Sequence, residues 1–142
     1  MLTGIDPILT GELLRHLDAM GHSDSVVLAD AHFPAERLAE RLMVLPGLGT
    51  PRTRRAIRTV LPLDDAPVLD LMSSADGARL QVQDELIEAA GAGEGIRFLS
   101  RQEFYNTAAT AFLVVRTGET RTYGNALLRK GVVTSSDTGR QE

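Results

Sequence analysis

The tightest constraint in this sequence is a four-residue apolar run, Val26-Val27-Leu28-Ala29, with His22 and Asp24 just before it and Asp30 and His32 just after it. So short an apolar run between turn formers is too brief for a helix and suits a buried strand. A strand of this kind holds polar groups at both ends of a rigid element. Polar side chains at the end of a buried strand, followed by a loop, are a common way to build a small-molecule site. Two of the chain's three histidines sit here, and histidine is the side chain best suited to exchange protons near neutral pH. The same residues also suit plain turns around a core strand, so the rest of the chain has to decide between the two.

Around this strand, helical and extended patterns alternate. Residues 6–20 carry Leu13, Leu14, Leu17 and Met20 at helical spacing, capped by Asp6-Pro7 or by Thr10 and stopped by Gly21. Residues 34–42 have helical composition, and residues 42–45 read either as helix or as a strand. Thr50 and Pro51 open another helix as cap and first residue. Its buried stripe is Ala56, Ile57, Val60 and Leu61, with Arg52, Arg54, Arg55 and Arg58 mostly off it. No aromatics interleave with these arginines and Asp64 and Asp65 follow closely, so a solvated or subunit-facing surface is expected.

A strand over residues 68–72 carries Asp70, either on a solvent face or lining a site. A helix over 81–90 buries Val82, Leu86, Ala89 and Ala90 and stops at Gly91. The glycine-rich run 91–95 is a loop and not a dinucleotide fingerprint, because no helix opens after it. A short strand over 96–99 leads into Ser100-Arg101-Gln102-Glu103, a capping box. This places Arg101 in the first turn of a helix, where its charge opposes the helix dipole; an arginine so placed serves a partner or a ligand, or is a plain surface residue. Residues 111–116 and 123–128 read as strands joined as a hairpin through Thr117-Gly118-Glu119-Thr120. In that strand Tyr123 and Asn125 share a face, with Gly124 between them, an arrangement suited to a hydroxyl-rich ligand. The expected fold is one α/β domain over residues 1–133, a mixed β-sheet flanked by helices and closing with a β-hairpin, followed by a disordered polar tail over 134–142.

Several function classes are disfavoured. The 142-residue chain contains no cysteine, so disulfides, thiolate metal sites and cysteine nucleophiles are excluded. Net charge is −4 and no apolar run approaches the roughly 18 residues of a membrane span, which argues against nucleic-acid and membrane partners. The N-terminus lacks the basic region and cleavage site of a signal peptide, so the cytoplasm is the expected location. No serine elbow, Walker loop or zinc motif occurs, and His22, Asp24, Asp30 and His32 match no known ligand spacing, so no metal is expected. What remains is a set of proton carriers and hydroxyl binders: His22, Asp30, Arg101, Tyr123 and Asn125. Phe33, Tyr105 and Tyr123 stand out as aromatic platforms or core fillers in a chain without tryptophan.

Five ordered motifs carry a resemblance: Gly-His-x-Asp at 21–24, Asp-Ala-His-Phe-Pro at 30–34, Arg-x-x-Phe-Tyr at 101–105, Thr-Gly-Glu at 117–119 and Tyr-Gly-Asn at 123–125. Together with Gly4-Ile5-Asp6-Pro7 and the ending 128–132, they resemble the RbsD/FucU family over roughly residues 1–133. The second and fifth motifs are more similar to the fucose branch of that family than to the ribose branch. Ser23 stands where the fucose branch usually has glycine, and residues 36–95 match least. The resemblance implies a monosaccharide mutarotase that interconverts the α and β anomers of L-fucose or a related sugar by acid/base ring opening and reclosure, without a cofactor. It implies His22 as proton donor, with Asp30, Arg101, Tyr123, Gly124 and Asn125 at the sugar. It further implies a ring-shaped homo-oligomer, commonly a decamer, with sites completed between subunits. D-ribose pyranose/furanose interconversion and non-catalytic sugar binding as an accessory to transport are the alternatives.

Overall fold

The computed structural model describes residues 1–65, 69–90 and 95–138. In chain order the elements are α1 (Gly11–Ala19), β1 (Ser25–Ala29), α2 (Ala35–Leu38), β2 (Leu42–Leu45), α3 (Thr50–Arg58), β3 (Leu69–Met72), α4 (Gln81–Ala90), β4 (Ile96–Leu99), α5 (Arg101–Ala109), β5 (Leu113–Thr117), β6 (Ala126–Arg129) and α6 (Ser135–Thr138). The strands form one six-stranded sheet in the order β2-β5-β1-β6-β3-β4. β5 runs parallel to both β1 and β2, and β3 runs parallel to β4. β6 lies antiparallel between β1 and β3. Five strands therefore point one way, and β6 alone runs against them.

The opening apolar run is β1, a central strand. Val26 and Leu28 face the layer holding α1, α3 and α4, with Leu13, Leu17, Ile57 and Leu86. Val27 and Ala29 face the layer holding α2 and α5, with Phe33, Phe104 and Ala108. All four are fully buried. A strand covered on both faces reads as a continuous apolar run rather than an alternation, which is why the sequence marks it so plainly. Each fully buried Val or Leu contributes about 1.5–3 kcal/mol relative to exposure.

Local chemistry explains where the elements depart from expectation. α1 starts at Gly11 because Thr10 is its N-cap, with its hydroxyl accepting from the Leu13 amide. Asp6 instead closes its own turn through the Ile8 amide and pairs bidentately with Arg52, at 2.8 and 2.9 Å. α3 is capped by Gly49 rather than Thr50, whose side chain is buried within the helix. Val60 lies past the end of α3 and is exposed, while Ala56, Ile57 and Leu61 are buried. Residues 42–45 are a strand, β2.

Three corrections are larger. The closing hairpin does not form: β1 lies between β5 and β6. After β5 the chain does not turn straight back. Gly118 N bonds to Leu48 O and Ala31 N bonds to Glu119 O, which draws the 118–125 segment over the strand ends and delivers it beyond β1. Arg54 is not off the buried stripe of α3. It is fully buried, and its Nε, Nη1 and Nη2 have no hydrogen-bond partner among the described residues. Asp70 faces neither solvent nor a pocket. It is buried, bound bidentately by Arg97 at 3.0 and 2.9 Å and by Arg129 at 2.8 Å.

At the C-terminus, Ser135–Thr138 form one helical turn where a structureless tail was expected. The expected strand start at Val68, helix stop at Gly91 and tail beyond 138 lie outside the described residues, as does the side chain of Ala90.

Candidate functional site

The topology itself creates a crevice. The carboxyl ends of β1, β3, β4 and β5 lie on one edge of the sheet, and β6 begins there between β1 and β3. In α/β sheets ligands bind outside the carboxyl ends of the strands, where the order of the chain switches. A cavity of about 200 Å³ occupies that place, lined by Asp30, His32, Phe33, Met72, Arg101, Tyr105, Thr122, Tyr123 and Asn125. Drug-sized ligand sites run to roughly 300–1,000 Å³, so this one suits something smaller, the size of a single sugar ring.

Asp30 follows β1 directly and is buried. Its Oδ1 accepts from the His32 amide at 2.9 Å and its Oδ2 from Asn125 Nδ2 at 3.1 Å. The Asp30 amide returns a 2.8 Å bond to Asn125 Oδ1. This reciprocal pair fixes which way the Asn125 amide points. Burial pushes the Asp30 carboxyl above the usual carboxylate range, and the donors from His32, Asn125 and Gly124 oppose that shift without cancelling it.

Tyr123 and Asn125 are not in a strand; they lie in the loop that feeds β6. Both still line the cavity. They do so by a different route from strand alternation, because Tyr123 has a positive φ of 61°. A bulky side chain rarely adopts that conformation, and such strain persists only where the surroundings impose it, often at functional sites. Gly124 between them is required by space. A β-carbon there would lie 2.9 Å from Glu119 Cγ, 3.1 Å from Val82 and 3.2 Å from Thr50 Oγ1.

Arg101 is the first residue of α5, beyond a complete capping box between Ser100 and Glu103. It is exposed, lines the cavity, and has no hydrogen bond or ion pair among the described residues. Aromatic rings line the same cavity. The Phe33 ring meets Phe104 and Tyr105 edge-on, with centroids 5.8 and 5.4 Å apart. The cavity thus combines a carboxylate, a guanidinium, a carboxamide and a phenol with flat apolar surface, a lining suited to a hydroxyl-bearing ring.

His22 does not join them within the chain. It sits in the turn between α1 and β1, at the amino end of β1, whereas Asp30 is at the carboxyl end. The strand between them spans about 13 Å at roughly 3.3 Å per residue. His22 is exposed there, with Nε2 3.4 Å from Asp64 Oδ1. Asp24 caps this turn, accepting from the Gly21 amide at 2.7 Å.

Sequence reasoning passed over several residues. Met72 and Thr122 carried no signal, since nothing in a lone methionine or threonine marks a cavity wall. His32, read as a family marker, lines the cavity and reaches the Thr120 carbonyl at 3.0 Å. Glu119 is the buried hub behind the wall. Its carboxylate accepts from Arg121 Nε at 2.9 Å, Arg121 Nη2 at 3.0 Å and the Thr50 amide, while Arg121 reaches on to Glu85. These contacts hold the Glu119 carboxyl below the usual range, Arg121 foremost. The Thr-Gly-Glu motif was the available signal.

Comparison with known proteins finds relatives over nearly the whole chain. Human fucose mutarotase is 39% identical over 93% of this chain and 94% of its own. L-fucose mutarotase of Haemophilus influenzae is 38% identical over 93% and 97%. The crystal structure of the Streptococcus pneumoniae fucose mutarotase in complex with L-fucose superposes with a TM-score of 0.87 at 33% identity, covering 94% of this chain and all of that one. The profile of the RbsD / FucU transport protein family matches residues 3–133, and the chain belongs to that family.

Proposed function

We propose that this protein is a mutarotase that interconverts the α and β anomers of L-fucose or a closely related monosaccharide. The observation that carries the proposal is the cavity at the β1–β6–β3 switch point, where Asp30, Arg101, Tyr123 and Asn125 converge beside the Phe33–Tyr105 wall. The fucose mutarotases to which the chain is similar support the choice of sugar.

A pyranose hemiacetal opens when its anomeric hydroxyl loses a proton and its ring oxygen gains one. The C1–O5 bond breaks, the aldehyde turns about C1–C2, and O5 adds back to the other face as the protons return. Such a step needs only a placed donor and acceptor. In this scheme His22 exchanges the proton. Arg101 and Asn125 bind hydroxyls, Tyr123 binds or shares the transfer, Gly124 lets the loop close against Glu119, and Asp30 holds a hydroxyl.

Because His22 lies at the opposite end of β1 from Asp30, the scheme calls for His22 from a neighbouring copy. A ring-shaped homo-oligomer, ten copies in the arrangement the family resemblance implies, would bring the two ends together. A cytoplasmic location is part of this proposal. No helix among the described residues is long and apolar enough to cross a membrane.

NMR saturation transfer between anomers of L-fucose, D-ribose and a small panel of other sugars tests this directly. Accelerated exchange of L-fucose that disappears in a folded His22→Ala variant is expected. Exchange of ribose forms alone would make the protein a pyranase. Saturable binding without faster exchange would make it a sugar-binding accessory. Wild-type exchange rates in His22→Ala would refute the role of His22.

A further inference from the structure

Ring opening needs a proton acceptor as well as a donor, and most polar groups of the cavity are already engaged. Both carboxylate oxygens of Asp30 accept hydrogen bonds, Oδ1 from the His32 amide and Oδ2 from Asn125 Nδ2. Asn125 Oδ1 accepts from the Asp30 amide. Arg101 has no acceptor atom. The hydroxyls of Tyr105, Thr122 and Tyr123 each carry a proton of their own and are poor bases. Among the lining side chains that leaves His32.

His32 is held in place from both ends. Its amide bonds to Asp30 Oδ1 at 2.9 Å, the Phe33 amide bonds to Asp30 O at 3.2 Å, and the Ala31 amide bonds to Glu119 O at 2.8 Å. Residues 30–33 are thereby closed into a turn on the carboxyl end of β1 and tied to the 118–125 loop. The ring reaches the same loop, with Nε2 3.0 Å from Thr120 O. The neighbouring Glu119 is buried and bound by Arg121 and the Thr50 amide, so the carbonyl that meets the ring is itself fixed.

This contact decides the tautomer. A carbonyl oxygen can only accept, so the hydrogen of the bond is on Nε2. Which nitrogen of a histidine carries the proton is set by the bond the other one makes, and in the neutral ring Nδ1 is then the acceptor. Nδ1 has no partner among the described residues.

We propose that His32 is a second catalytic residue: its Nδ1 takes the proton of the anomeric hydroxyl while His22 of a neighbouring copy gives one to the ring oxygen. This rests on the anomer-exchange function above. As O1 passes its proton to Nδ1, C1=O1 forms, the C1–O5 bond breaks, and O5 keeps the proton supplied by His22. After the turn about C1–C2, O5 adds back to C1, its proton returns to His22, and Nδ1 returns its own to O1. Both histidines end as they began. The imidazolium formed in between keeps its Nε2–H bond to Thr120 O and is attracted by the Asp30 carboxylate, and an opposite charge nearby favours the charged form.

The test is His32→Gln and His32→Ala in the assembled protein, read by saturation transfer with L-fucose. Glutamine can still donate an N–H to the Thr120 carbonyl but cannot carry the proton. Both variants are expected to lose about 100-fold in kcat, with KM for the sugar within about threefold. Added imidazole is expected to restore part of the rate to His32→Ala, which a merely structural role would not allow. Long-range ¹H–¹⁵N correlation of the wild-type His32 ring, which needs no variant to assemble, is expected to show the proton on Nε2. A wild type with the proton on Nδ1, a His32→Gln variant with unchanged kcat, or a rise in KM alone overturns the role of His32 and leaves the proposed function standing. A wild type that accelerates exchange of no sugar overturns the proposed function, and the role given to His32 with it.

Discussion

Arg54 is the group most at odds with its surroundings, and replacing it by methionine is expected to stabilise the protein. The side chain is fully buried in α3, and none of its three guanidinium nitrogens has a partner among the described residues. Burial, and secondarily the charge of Arg58, pulls its pKa down to about 10. Against an ordinary value above 12, and at 1.36 kcal/mol per pKa unit, that disfavours the charged form by roughly 3 kcal/mol. Methionine keeps the unbranched stem and removes the orphan donors. The volume lost with the guanidinium offsets part of the gain, at about 24 cal/mol per Å³ of cavity left behind. The expected net effect is stabilisation by about 1–3 kcal/mol, in line with other replacements of buried charges by apolar side chains.

The sign with pH follows from the direction of the shift. The folded state holds this proton less tightly than the unfolded state, so the burden is complete below pH 10 and lifts only as pH rises through that value. The advantage of Arg54→Met is therefore expected to be flat between about pH 6 and 9. Urea unfolding at fixed protein concentration measures it, as a higher midpoint with an unchanged slope. Destabilisation by more than about 1 kcal/mol would refute the reasoning, because it would mean that the guanidinium is satisfied in the protein at work.

Two further outcomes are expected. Gly124→Ala would push a methyl group against Glu119 Cγ and Val82, at 2.9 and 3.1 Å. Because the Glu119 carboxylate is tied to Arg121 and Thr50, the loop must give way. A stability loss of about 1–3 kcal/mol and weaker sugar binding by calorimetry are expected; unchanged affinity would show that the loop does not hold the sugar. For Asp30, burial raises the carboxyl pKa, so sugar affinity is expected to fall on acidification at a pH above the ordinary carboxylate range. The ionised form burdens the folded state above that pH, and protonation relieves it. Loss of affinity only at or below the ordinary range, in a calorimetric titration across pH, would contradict the role given to Asp30.

Much of this protein was legible in its sequence because the relevant physics is local. The β1 run, buried on both faces, had no other plausible state. The capping box at Ser100 and Glu103 formed as its spacing required, with Arg101 in the next position. α4 occupies its expected residues, and β1 and β4 theirs. The proton carriers and hydroxyl binders were identifiable by residue type, and Asp30, Arg101, Tyr123 and Asn125 do meet around one cavity.

Tertiary structure decided what depends on partners distant in sequence. A turn signal and two apolar runs look the same whether the strands pair with each other or admit a third between them, and here β1 takes the place between β5 and β6. Alternation of side chains assumed a strand for Tyr123, whereas a left-handed backbone imposed by the packed loop aims it at the cavity. Helical spacing cannot tell a solvated arginine from a buried one when the covering layer comes from elsewhere in the chain, and so Arg54 was misread. The separation of His22 from Asp30 is the clearest case. Eight positions apart, they flank the same run in the sequence. Extended backbone carries them to opposite ends of the strand, which is why the proposed mechanism draws the two from different copies of the chain.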